Sequence, residues 1–140
     1  MDNFIIFGHI ATLVSSPKKI MVVDDELDIL HVVRRYLEKW EFKVDTFSDP
    51  LYALRRFKED PDAYSLALLD IRMPEMSGIA LAAMTIKVRP DFKIMIMTAF
   101  ELVVEDLQIS LPTIKREDVI QKPFKLVQIC TAVKKQLQMG

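Results

Sequence analysis

The sequence predicts an α/β fold, a parallel sheet with helices on both faces. Two observations carry that prediction. Short apolar runs alternate with longer segments whose apolar residues recur at helical spacing, the pattern of parallel strands joined by crossover helices. The run Leu66-Ala67-Leu68-Leu69 is continuous, ends in Asp70, and leads into a loop marked by Pro74 and Gly78. An apolar run that short, bounded by turn residues, reads as a central strand buried on both faces. Open α/β sheets place their ligand crevices beyond the carboxyl ends of such strands, so Asp70 stands where chemistry is expected.

The chain opens with an apolar stretch, Phe4 to Val14, that is too short to span a membrane. It has the length of a signal-peptide core, yet Asp2 stands where a basic segment belongs and no small-residue cleavage site follows. Residues 1–17 are read as an extension of unknown role, jointed at Ser15-Ser16-Pro17, and residues 18–140 as the domain. The extension is an extra docked helix, a cover for a partner's surface, or a loose appendage.

Lys19 to Val23 is the first strand, and it stops at Asp24-Asp25-Glu26. Leu27, Leu30, Val33 and Leu37 then recur at helical spacing, with Asp25 or Glu26 placed to favour the helix start. Phe42 to Phe47 alternates like a half-exposed edge strand. Ser48-Asp49-Pro50 supplies a cap followed by proline at the first helical position, opening a helix through about Lys58. After the Asp70 strand, Ile79 to Val88 is a helix that Pro90 ends. Lys93 to Thr98 is the fourth strand. Glu101 to Gln108 makes a short helix before Pro112, and Val119 to Gln121 is a brief fifth strand ending at Lys122-Pro123. Leu126, Ile129, Cys130, Val133 and Leu137 mark the closing helix, with Lys134 and Lys135 favourable near its carboxyl end.

Composition excludes several function classes. The net charge of -1 offers no bulk attraction to nucleic acid or to an acidic membrane. A single cysteine, Cys130, excludes a disulfide framework and a thiolate metal site, and points to a reducing cytoplasm. With only three glycines, neither a GxGxxG turn nor a GxxxxGK[ST] phosphate loop can be written.

The residues that close the apolar runs are Asp24 and Asp25, Asp70, Thr98 and Lys122. A parallel sheet lines all of them along one rim. Like charges that close repel, so a proton or a divalent cation must sit among them. Oxygen donors without nitrogen or sulfur select magnesium, or manganese, over zinc. Taken alone, Asp70 reads equally as a turn or helix cap, and Lys122 as a solvated strand-end charge. Their meeting with Asp24 and Asp25 removes those readings. His9 and His31 have no second histidine or cysteine at ligand spacing and read as surface or packing residues. Cys130 falls on the apolar stripe of the last helix, and Met95-Ile96-Met97 reads as core.

Four segments carry a family resemblance: Val22-Val23-Asp24-Asp25-Glu26, Leu68 through Gly78, Met97-Thr98-Ala99 and Lys122-Pro123-Phe124. In this order over about Lys19 to Gln138, the sequence resembles the receiver domain of two-component response regulators. The resemblance implies a flavodoxin-like (βα)5 sheet in the order 2-1-3-4-5. It implies Asp70 as phosphoacceptor, Asp25 as a direct magnesium ligand, Asp24 holding the ion through water, and the backbone carbonyl of Arg72 as a further ligand. Thr98 and Lys122 would contact the phosphoryl oxygens, and the Lys122–Pro123 bond would be cis. The implied partners are a sensor histidine kinase or phosphotransfer protein and an unnamed downstream protein. DNA and membrane are not expected to be bound directly, and the chain would be a monomer or a phosphorylation-dependent dimer.

The sequence departs from the family pattern in two places. Three positions before Lys122, where many receivers carry Tyr or Phe, stands Val119, which cannot fill the same cavity. Residues 111–118 lack the small Ala-Gly turn common there, and Pro112 shortens the fourth helix. Arg72 and Phe100 flank the expected path of a hydrolytic water. Two competing functions remain. A haloacid-dehalogenase-like phosphohydrolase needs a second aspartate two residues after the first, and position 72 is Arg. An unphosphorylated interaction scaffold has no need of the acids, Thr98 and Lys122.

Overall fold

The computed structural model describes residues 2–7, 10–15 and 18–138 of the chain, with side chains described from Lys18 onward. Strands β1 (Asp2–Phe7) and β2 (Ile10–Ser15) pair antiparallel, with Phe4 opposite Leu13. The extension thus forms strands rather than an extra helix, one of its alternative readings. Ile and Phe, frequent in this stretch, favour extended backbone, and the antiparallel pairing joins the two strands' backbone groups.

The domain alternates as expected: β3 (Lys19–Val23), α1 (Leu27–Lys39), β4 (Lys43–Phe47), α2 (Pro50–Glu59), β5 (Tyr64–Asp70), α3 (Gly78–Val88), β6 (Lys93–Thr98), α4 (Val104–Ser110), β7 (Val119–Gln121) and α5 (Leu126–Gln138). The five strands β3 to β7 form one parallel sheet in the order β4-β3-β5-β6-β7. Counted within the domain this is 2-1-3-4-5, the flavodoxin-like order.

Strand periodicity sorts the core into two layers. Met21, Val23, Ala67, Leu69 and Ile96 face α2, α3 and α4, packing with Leu54, Phe57, Leu81 and Leu107. Ile20, Val22, Leu66, Leu68, Met95 and Met97 face α1 and α5, packing with Leu30, Val33, Leu37, Ile129, Cys130 and Val133. Leu66 through Leu69 are all fully buried, which is why that strand reads as a continuous apolar run. The edge strand β4 buries only Val44 and Phe47.

Helix ends explain where sequence expectation and structure part. Leu27 is 69% exposed, because the first residue of α1 overhangs the sheet rim and only Leu30, Val33 and Leu37 reach the core. Neither Asp25 nor Glu26 caps α1 with its side chain. Asp24 does the local work instead, its Oδ1 accepting the Glu26 N–H at 2.9 Å. Asp49 caps α2 through the Leu51 N–H, as the Asp-Pro signal predicts. Helix α4 begins only at Val104 and ends at Ser110, since Leu111 and Pro112 turn the chain back.

Helix α3 starts against the end of β5. Ser77 caps it by accepting the Ala80 N–H, and the Gly78 N–H donates to the Ile71 carbonyl at 2.9 Å. A Cβ at Gly78 would lie 2.0 Å from the backbone oxygen of Asp70. Backbone against backbone cannot yield cheaply, so Gly78→Ala is expected to cost roughly 1–3 kcal/mol of stability. Chemical denaturation of the purified variant, read against the wild-type midpoint, checks this.

Candidate functional site

The site forms at the carboxyl rim of the sheet because register aligns the strand ends. Val23 lies opposite Leu69, Asp70 opposite Met97, and Thr98 opposite Gln121. Asp24, Asp70, Thr98 and Lys122 are therefore neighbours, although they come from four strand ends. The bonds continue past the strands. The Ile71 N–H donates to the Met97 carbonyl, and the Lys122 N–H to the Thr98 carbonyl at 2.6 Å.

Three of these side chains are buried: Asp24 at 0%, Asp70 at 6% and Thr98 at 1% exposure. Oxygens of Asp24, Asp25 and Asp70 all lie within 4.8 Å of one another. The Lys122 ammonium sits 3.0 Å from Asp24 Oδ2 and 3.1 Å from Asp70 Oδ1. Asp24, Asp25, Asp70 and Lys122 thus meet at the rim, with Thr98 closing the neighbouring strand. Asp25 is exposed and shares an open recess with Arg72, Pro74 and Ser77.

Electrostatics follow from this packing. Burial raises the pKa of Asp70 and Asp24 adds to the effect, while Lys122 opposes both. Burial alone would lower the pKa of Lys122, but its bonds to Asp24 and Asp70 outweigh it and hold the ammonium above its ordinary value. One ammonium thus serves two buried carboxylates, with Asp25 alongside. The donor set is all oxygen and carries surplus negative charge, which fits a hard divalent cation such as magnesium.

Thr98 is held within its own loop. Its Oγ1 accepts the Phe100 N–H at 2.9 Å and donates to the Phe100 carbonyl at 3.3 Å. The Arg72 guanidinium stacks 4.0 Å from the centroid of the Phe100 ring, joining the β5–α3 loop to the β6–α4 loop. Glu26 is the partner that sequence reasoning missed: its Oε1 lies 3.8 Å from the Lys122 ammonium. Its place directly after Asp24-Asp25 was the available signal. Val119 is half-buried against the α2–α4 layer, and the Lys122–Pro123 bond is cis.

Comparison with known proteins agrees with this geometry. Residues 20–134 match the response regulator receiver domain family. The response regulator receiver protein CpdR of Brucella abortus is 35% identical over 120 residues, covering 86% of this chain and 97% of that protein. The regulatory protein VanRc of Enterococcus gallinarum is 32% identical over 86% of this chain, which spans only 50% of that longer relative. Among solved structures, a CheY-like receiver domain protein from Methanospirillum hungatei superposes with TM-score 0.78 at 25% identity, covering 89% of this chain and 96% of that one. TrrA from Thermotoga maritima, in complex with Mg2+ and BeF, gives TM-score 0.72 at 30% identity, covering 84% and 97%. The chain belongs to the response regulator receiver domains, the signal-transduction modules of two-component systems.

Removing the shared cation leaves two buried carboxylates facing each other. Lys122→Met is expected to destabilise the fold by about 3 kcal/mol, and adding Asp24→Asn to recover part of the loss. Denaturation midpoints of the single and double variants measure both effects.

Proposed function

We propose that this receiver accepts a phosphoryl group on Asp70, donated by the phosphohistidine of a sensor histidine kinase or of a phosphotransfer protein. In the transfer the phosphorus–nitrogen bond of the donor breaks and a phosphorus–oxygen bond forms to the Asp70 carboxylate. The imidazole nitrogen leaves with the electron pair. The product is an acyl phosphate, which is intrinsically labile. Asp24, Asp25, Asp70 and the backbone carbonyl of Arg72 would hold magnesium, or manganese. When bound, that ion supplies charge neutralisation between the carboxylate and the phosphoryl oxygens.

The chain's own residues do the rest. Lys122, already beside Asp70, pairs with the transferred oxygens and spreads their charge. Thr98 turns its hydroxyl from Phe100 towards a phosphoryl oxygen. That turn gives up the bonds to the Phe100 backbone while the ring keeps its stack on Arg72, so a local charge event loosens the β6–α4 loop and changes a protein-interaction surface. Acceptance and hydrolysis both occur on Asp70, so no separate substrate turns over and the module is not an enzyme in the usual sense. We place it in the cytoplasm with its donor.

The observation that carries this reading is the buried Asp70, with two further acids within 4.8 Å and the Lys122 ammonium 3.1 Å away. Incubation with acetyl phosphate and magnesium, followed by intact mass measurement, tests it. Wild type should gain one phosphoryl group and Asp70→Asn none. Unmodified wild type would point instead to a scaffold that works without phosphorylation.

The Arg72–Phe100 stack also sets a lifetime. A ring anchored by a cation beside the site blocks the approach of water to the acyl phosphate, so the mark is fairly long-lived. Phe100→Ala is expected to shorten the half-life several-fold with the amount of label initially taken up unchanged. A label that decays at the wild-type rate in this variant refutes the shielding.

A further inference from the structure

At the other end of the sheet, where α1 and α5 finish, lies a groove of about 500 Å³ whose apolar lining is Trp40, Phe42 and Leu137. We infer that this groove docks an acidic peptide segment of a partner protein, one that inserts an apolar side chain between flanking carboxylates.

The lining argues for that chemistry. Trp40 is 36% exposed although it is the chain's only tryptophan and the largest apolar side chain available to bury. Half-exposed tryptophans ringed by polar groups are the usual anchors of protein–protein contacts. Lys39 and Lys134 stand on the rim, and neither makes an ion pair among the described residues. Their ammonium groups lie over aromatic rings instead, Lys134 at 5.9 Å from the centroid of Trp40 and Lys39 at 5.4 Å from that of Tyr36. Glu41 is the single acid in the lining, and it sits in the left-handed region at φ 69°. Lys43, also exposed and without an ion pair among the described residues, comes after Phe42. An apolar lining beside cations that make no ion pair among the described residues is complementary to carboxylates around an apolar side chain. The recess has room for side chains, not for a nucleic-acid duplex.

The groove is remote from Asp70, since α1 and α5 both start near the acidic rim and run away from it. Docking here therefore stands apart from the phosphorylation reading, and either can fail without the other.

Trp40 reports on its own site. The probe is the blocked hexapeptide Asp-Glu-Leu-Phe-Glu-Asp, titrated into the full chain while tryptophan emission is followed. The expected result is a saturable change that weakens as salt rises, with the peptide in which every acid is replaced by Lys giving none. The double variant Lys39→Glu with Lys134→Glu changes only exposed side chains and should bind about tenfold more weakly or worse. Asp70→Asn should bind as wild type does. The proposal is overturned if no saturable change occurs at millimolar peptide, or if the lysine peptide binds as well. It is overturned too if the double variant binds unchanged, or if sedimentation shows a dimer of the wild-type chain that the double variant abolishes.

Discussion

The shared pairing of Lys122 with Asp24 and Asp70 is the interaction on which the rest of the domain turns. Two carboxylates buried at one rim repel each other and are poorly solvated, and either cost alone would push the strand ends apart. Lys122 offsets both at about 3 Å. It arrives from 98 residues beyond Asp24. The rim is therefore complete only with the last strand in its place beyond β6. Strand register brings the acidic ends together and the apolar layers supply most of the stabilisation, but this ammonium is what lets both carboxylates be buried there.

That convergence costs the surface some order of its own. Asp25 and Glu26 remain exposed beside the buried pair, and Thr98 spends its hydroxyl on the next loop rather than on the acids. The loops after β5 and β6 meet through Arg72 and Phe100, a contact between two exposed side chains rather than core packing. Such a contact is weak enough to be remade, which suits a rim whose charge changes. The buried layers beneath it have no such freedom.

Much of this was legible in the sequence. Leu66 through Asp70 announced a central strand because an element buried on both faces needs no polar alternation. Asp24, Asp70, Thr98 and Lys122 each close an apolar run, and parallel pairing does the rest. What the sequence concealed were matters of end geometry. Leu27 keeps the helical spacing yet points to solvent, because periodicity cannot say where a helix overhangs its sheet. Glu26 looked like a helix-start acid, and its approach to Lys122 depends on side-chain placement that no spacing rule specifies. The closeness of Gly78 to the Asp70 carbonyl is of the same kind: a glycine before a helix has many explanations until the distance is known.

The link from the Gly78 N–H to the Ile71 carbonyl has a wider meaning for how such a domain diversifies. It ties off residues 72–77 at their base as a self-contained bight, with Glu75 at φ 71° taking the sharp bend. Exposed side chains inside that bight, other than the capping Ser77, can be exchanged to alter water access or recognition while strand and helix keep their seats. Specificity and scaffold are thus separable here by one knot in the backbone.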